Sequence, residues 1–172
     1  AHRYHRDIRQ SEDLLAGVIN RVSARGGKVI VPSFALERTQ ELLHVVQNLR
    51  LDRRIPADFP VVVDSPLAIN VTQVFMRHKE LFDAETKALL ARSAPTDNHR
   101  YVRFTKDVEQ SKALNDDDTP MMIISASGMC ESGRILHHLK NNVQDPKNAV
   151  VIVGFQAANT LGRRIVERER QL

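Results

Sequence analysis

Four short runs of apolar, largely β-branched residues constrain this chain more than any other feature. They are Lys28-Val29-Ile30-Val31-Pro32, Pro60-Val61-Val62-Val63-Asp64, Met121-Met122-Ile123-Ile124-Ser125 and Ala149-Val150-Val151-Ile152-Val153-Gly154. Each is too short for a buried helix and lacks the polar alternation of a half-exposed strand, so each reads as a parallel strand covered on both faces. Tyr101-Val102-Arg103-Phe104 alternates and reads as a fifth strand nearer an edge. The segments between carry helical periodicity. Ile8, Leu14, Leu15, Val18, Ile19 and Val22 form a stripe that Gly26-Gly27 stops. Leu42, Leu43, Val45, Val46 and Leu49 form a second stripe, and Val71, Val74 and Phe75 follow the second strand. Leu81, Leu89 and Leu90 belong to a further helix, Lys106 to Asn115 and Gly133 to Asn142 to two more, and a last one starts near Thr160. Such alternation implies right-handed crossovers and an α/β fold: a three-layer α/β/α sandwich around a mainly parallel, Rossmann-like sheet.

At 172 residues the chain suits one domain, and its 42% hydrophobic content is ordinary for a folded one. No apolar run approaches the roughly 18 residues of a membrane span. The start, Ala1-His2-Arg3-Tyr4-His5-Arg6-Asp7, is charged and unlike a signal peptide. Cys130 stands alone, so no internal disulfide forms and a cytoplasmic, reducing setting is expected. The net charge is +4 and the pI about 9.5, which suits a polyanion, but the basic residues are dispersed. Short clusters occur at Arg50, Arg53 and Arg54 and at Arg163, Arg164, Arg168 and Arg170. Aromatic residues make up 5% and Trp is absent, which argues against a stacking platform of the RRM or OB type.

In open parallel sheets ligands sit beyond the carboxyl ends of the strands. That rule selects Pro32, Ser33, Phe34 and Arg38, then Asp64, Ser65 and Pro66, then Ser125, Ser127, Gly128 and Met129, then Gly154, Phe155 and Gln156. The stretch Ser127-Gly128-Met129-Cys130-Glu131-Ser132-Gly133-Arg134 follows a strand and opens a helix. Its glycines permit close backbone approach, its amides attract anions, and Arg134 offers a bidentate grip on phosphate. An ordinary strand-to-helix turn capped by Ser132 fits the same residues equally well. Asp64 reads as a cap for the helix near Pro66 or as a group that orients an arginine. His137 and His138 point about 100° apart on a helix, so they do not form a metal pair, and one of them is expected to pack on the sheet. Cys130 lacks the partners of a nucleophile and reads as small packing.

Taken in order, these segments resemble the β-CASP domain. The resemblance rests on Gly26 to Leu36 with Arg38 and Gln40-Glu41-Leu42-Leu43, on Val63-Asp64-Ser65-Pro66-Leu67-Ala68, and on Phe104-Thr105 with Ser111-Lys112-Ala113-Leu114-Asn115. Ser125 through Leu139, Gly154-Phe155-Gln156-Ala157 and Thr160-Leu161-Gly162-Arg163 complete it, so it covers nearly the whole chain. Three positions depart from the pattern. Glu37 stands where Gly is common, Ser132 replaces the first Gly of a pair, and Asn159 stands where Gly is common before Thr160.

β-CASP domains are insertions in metallo-β-lactamase-fold nucleases that process RNA. The resemblance therefore implies an RNA-binding cap of a phosphodiester hydrolase, with two zinc ions activating water in the parent protein. It implies phosphate and ribose contacts from Ser33, Arg38, Ser65, Ser127, Gly128 and Arg134, supported by Asp64, Gly133, His137, Gly162 and Arg163. The family's His-x-His-x-Asp-His motif is absent from residues 1–172, so the zinc ligands are expected outside this chain and the chain is read as one excised β-CASP domain, inactive alone. His5-Arg6-Asp7 is similar to the residues just after one family segment. The expected partners are RNA, the metallo-β-lactamase domain of the same polypeptide and, in assembly, a second copy as a homodimer, with no membrane. The rival readings are a Rossmann-like nucleotide binder, which Pro32-Ser33 disfavours by standing where a Gly-rich turn would be, and a protein-interaction module.

Overall fold

The computed structural model describes residues 8–92 and 101–167. His5-Arg6-Asp7 and the arginines at 168 and 170 lie outside them. The elements run α1 (Ile8–Ala24), β1 (Lys28–Pro32), α2 (Arg38–Leu51), β2 (Val61–Asp64), α3 (Pro66–Arg77), a 3₁₀ turn (Lys79–Leu81) and α4 (Ala84–Arg92). They continue with β3 (Val102–Phe104), α5 (Val108–Asp116), β4 (Met121–Ser125), α6 (Ile135–Asn142), β5 (Ala149–Val150) and α7 (Leu161–Val166). Every paired neighbour in the sheet is parallel, in the order β3-β2-β4-β1-β5.

Period-two alternation of the strands divides the core into two layers. Val29, Val31, Val61, Met122 and Ile124 pack against Leu15, Ile19 and Val22 of α1 and Leu42, Val46 and Leu49 of α2. Ile30, Val62, Met121 and Ile123 face the other way, against Leu114 of α5, Ile135 and Leu139 of α6, and the partly buried Leu161 and Ile165 of α7. Val63 packs on Ala68 and Ile69 of α3. Because β1, β2 and β4 are buried on both faces, their sequences are apolar apart from Lys28, Asp64 and Ser125 at the strand ends, and each fully buried Val or Ile contributes about 1.5–3 kcal/mol.

Three expectations need correction. The run from Ala149 to Gly154 is a strand only at Ala149 and Val150, and both are half-buried, because β5 is an edge with one neighbour. Leu81 does not share a helix with Leu89: the chain breaks at Phe82-Asp83, and Asp83 Oδ1 accepts from Thr86 N at 2.7 Å to start α4. The 106–115 helix starts later, at Val108, where Asp107 Oδ1 caps Gln110 N at 2.8 Å.

The connections leaving β1 and β2 run toward the β3 edge, whereas the connection leaving β4 runs toward the β5 edge. Since β4 lies between β1 and β2, the loops diverge at its carboxyl end. That divergence is a topological switch point, where open α/β sheets form a crevice.

Candidate functional site

At the switch point Pro32, Ser125 and Asp64 lie in one row across three strands. Asp64 shares strand parity with Val62, so its side chain turns toward the α5–α6 layer, where it is fully buried. A carboxylate there is affordable only when hydrogen-bonded and paired. Four side chains meet it. Arg134 Nη1 donates to Oδ1 at 2.7 Å and Thr105 Oγ1 donates to the same oxygen. Ser111 Oγ donates to Oδ2 at 2.5 Å, and His138 Nε2 lies 2.6 Å from that oxygen. Ser125 Oγ donates to the Asp64 carbonyl at 2.8 Å. Burial pushes the Asp64 carboxyl up, but the bonds from His138, Ser111, Thr105 and Arg134 outweigh it and hold it well below the usual carboxylate range.

Arg134 also donates to the Thr105 carbonyl at 3.3 Å and, through Nη2, to the Lys106 carbonyl at 3.1 Å. Its side chain keeps 20% exposure, so the guanidinium reaches the surface from a fixed base. Asp64 thus orients an arginine, while the cap of α3 is its neighbour: Ser65 Oγ accepts from Ala68 N at 3.3 Å. Ser132 does not cap α6. Arg134 occupies that position without a side-chain cap bond. Ser132 instead closes the preceding loop, its N–H donating to Ser127 Oγ at 3.2 Å and its carbonyl accepting from Ser127 N at 3.1 Å.

The other site residues of the sequence fall into two sets. Ser33 is buried, its hydroxyl accepting from Thr39 Oγ1 at 3.1 Å and lying 3.3 Å from the Phe34 carbonyl as a donor. Ser127 is half-buried, and its hydroxyl oxygen already accepts from Glu131 N at 3.0 Å. Gly128 lies under Phe34, where an added Cβ would come within 2.7 Å of the ring, and Gly133 adopts φ +80 with no room for a Cβ beside the Ala126 carbonyl. Gly162 is buried against Gln156 Oε1. These positions shape the loops from inside. Arg38 and Arg163, by contrast, stand on the rim. Arg38 pairs with Glu41 at 2.6 Å and Arg163 with Glu167 at 2.5 Å, both across exposed helix turns where such pairs are weak. Arg163 also lines a cavity of about 420 Å³ with Phe155, Gln156, Asn159 and Arg164.

His137 is exposed and does not join the Asp64 network, whereas His138 does. Sequence reasoning assigned no role to Thr105, Ser111, Asn115 or His138. The signal was present: Ser111 and Asn115, and likewise Arg134 and His138, are four residues apart and share a helix face. Cys130 is buried, and burial first, then Glu131, pushes its thiol up to about 11, so it is packing and not a nucleophile. Among the described residues no three His, Cys, Asp or Glu side chains are grouped to hold a metal ion. The polar atoms of Asp64 and His138 are taken up by each other and by Arg134, Thr105, Ser111 and Asn115, so the residues described here do not fit a zinc centre. No described helix is long and apolar enough to cross a membrane.

The Beta-Casp domain family matches residues 39–165. A protein named Ribonuclease TTHA0252 from Thermus thermophilus is 36% identical over 166 residues, covering 96% of this chain and 38% of its own length. An RNase J-like protein from Methanocaldococcus jannaschii is 31% identical, covering 90% of this chain and 34% of its own. Transcription termination factor FttA from Methanosarcina mazei is 27% identical, with 96% and 26% covered. The chain therefore spans between about a quarter and two fifths of the length of these relatives. A family match that runs from the first turn of α2 into the last turn of α7 encloses Ser125 and Asp64 of the strand-end row, the Asp64 network and Arg163, and on that match this chain belongs to the Beta-Casp domain family.

Proposed function

We propose that this chain is the RNA-binding cap of a zinc-dependent metallo-hydrolase that cleaves RNA phosphodiester bonds. The observation that carries the reading is the convergence of the β1, β2 and β4 loops on the Pro32–Ser125–Asp64 row at the switch point, rimmed by Arg38, Arg134 and Arg163. Relatives named ribonuclease and RNase J-like support it. In this reading Arg38, Arg134 and Arg163 meet phosphates, and Ser33, Ser65, Ser127, Gly128, Gly133 and Gly162 hold the loops that present them. Asp64 anchors Arg134. The zinc pair and the water it activates belong to the metallo-β-lactamase domain of a longer polypeptide, and this chain performs no step on the metal.

Titration of the chain with single-stranded RNA at several salt concentrations tests the proposal. Phosphate contacts predict a log–log slope near −0.7 per phosphate neutralised, so about −2 for three arginines. A salt-independent affinity, or preference for a free mononucleotide, would overturn the reading in favour of a Rossmann-like nucleotide site.

A further inference from the structure

The hydrogen-bond pattern around His138 determines its charge. Donor and acceptor atoms of the surrounding amides are assigned by backbone groups whose roles are not interchangeable. Lys28 N–H donates to Asn148 Oδ1 at 2.7 Å, so the other end of that amide is nitrogen, which donates to the Asn142 carbonyl at 3.0 Å. Asn142 Nδ2 donates to the His138 carbonyl at 2.8 Å, a group that only accepts. The same nitrogen reaches Asn115 at 3.1 Å, so the Asn115 atom it meets is the oxygen. His138 Nδ1 lies 3.0 Å from that oxygen. On its other side Nε2 faces the Asp64 carboxylate, an acceptor alone when ionised. Both ring nitrogens therefore face acceptors, and each needs a proton.

We propose that His138 is a fully buried imidazolium that shares Asp64 with Arg134, making it a positioning residue for the strand-end site. The charge count follows. One carboxylate stands against two cations, so the network keeps one positive charge in surplus. Asp64 does not cancel Arg134, and the guanidinium that reaches the surface keeps its attraction for an anion. A neutral His138 would leave Asp64 and Arg134 balanced and one ring nitrogen opposed to an oxygen lone pair, a buried clash of acceptors. The other charges nearby do not change the count. Lys28 Nζ donates to the Leu114 and Asn115 carbonyls at 2.8 and 3.1 Å, behind Asn115, and Asp117, Asp118, Asp116 and Asp145 act on Lys28. The ring protonation stands independently of the RNA reading, whereas its consequence for phosphate rests on it.

Nuclear magnetic resonance of the ¹⁵N-histidine-labelled chain at pH 7 tests the proposal. Among the described histidines His138 alone is fully buried, so slowly exchanging ring N–H signals belong to it. Two such signals, from Nδ1 and Nε2, are expected, and a single one would overturn the assignment. Asn115→Asp keeps an oxygen acceptor and should retain both signals, whereas Asn115→Leu should retain only one. His138→Gln, checked for folding by its amide spectrum, should weaken single-stranded RNA binding at least tenfold at low salt. Affinity equal to the parent chain would overturn the charge-supplying role. Two ring signals in a chain that binds no RNA would uphold the imidazolium and reject the RNA reading, so the two failures are distinguishable.

Discussion

Asp64 is the residue on which the site's electrostatics turn, because it is a buried anion with four side-chain donors. Asp64→Asn keeps the shape but aims an amide N–H at groups that already donate, and strands two cations. Equilibrium urea unfolding at pH 7 should show a loss of about 3–5 kcal/mol. The pH dependence has a definite sign. The folded carboxyl is held below the unfolded value of about 3.9, so its stabilisation is complete above that pH and is lost as pH falls toward the folded value. The gap between parent and Asp64→Asn should therefore narrow below about pH 4. Cys130 supplies a second residue-scale prediction. With its thiol pushed up to about 11 and its side chain buried, it should resist a thiol-reactive disulfide at pH 8 in the native chain and react promptly in urea.

Among the elements, the entry to α2 shows how a departure from the family pattern is accommodated. Glu37 adopts φ 64 and ψ −65, and Arg38 N donates to the Leu36 carbonyl at 2.8 Å around it. This is a γ-turn of the positive-φ kind, rare for a residue with a Cβ and strained. Glycine would adopt this conformation without the strain. Glu37→Gly should raise stability by about 1 kcal/mol, read as a melting-temperature increase of about 2–4 °C, and should not weaken RNA binding, since it removes an acid beside Arg38. Asn159 also has positive φ, at 66, just before the Thr160 cap of α7. Both departures were visible as residues, but only the backbone shows why glycine suits them. β5 illustrates the converse limit. Its apolar run looks as strong as the other three, yet β5 pairs with β1 alone and only over Ala149 and Val150.

For the whole molecule, the described residues carry arginines beside the strand-end loops and no group of three His, Cys, Asp or Glu side chains that would hold a metal ion. The chain incubated with zinc and RNA should therefore leave the RNA intact by gel analysis, and cleavage at a rate above a zinc-only control would contradict the division of labour proposed here. The sequence by itself determined the α/β class, the three central strands, the place of the loops at their carboxyl ends and the family, because burial on both faces forces continuous apolar runs and loop chemistry is local. Strand parity puts Asp64 on the same face as Val62, but only the structure shows that α5 and α6 cover that face. Only the tertiary structure decided which groups meet it. Thr105, Ser111, Arg134 and His138 lie 41 to 74 residues away along the chain, and their convergence depends on helix placement over a sheet ordered 3-2-4-1-5. It also decided between His137 and His138. Adjacent residues on one helix differ only in the face they present, and the sheet buries one face while leaving the other in water.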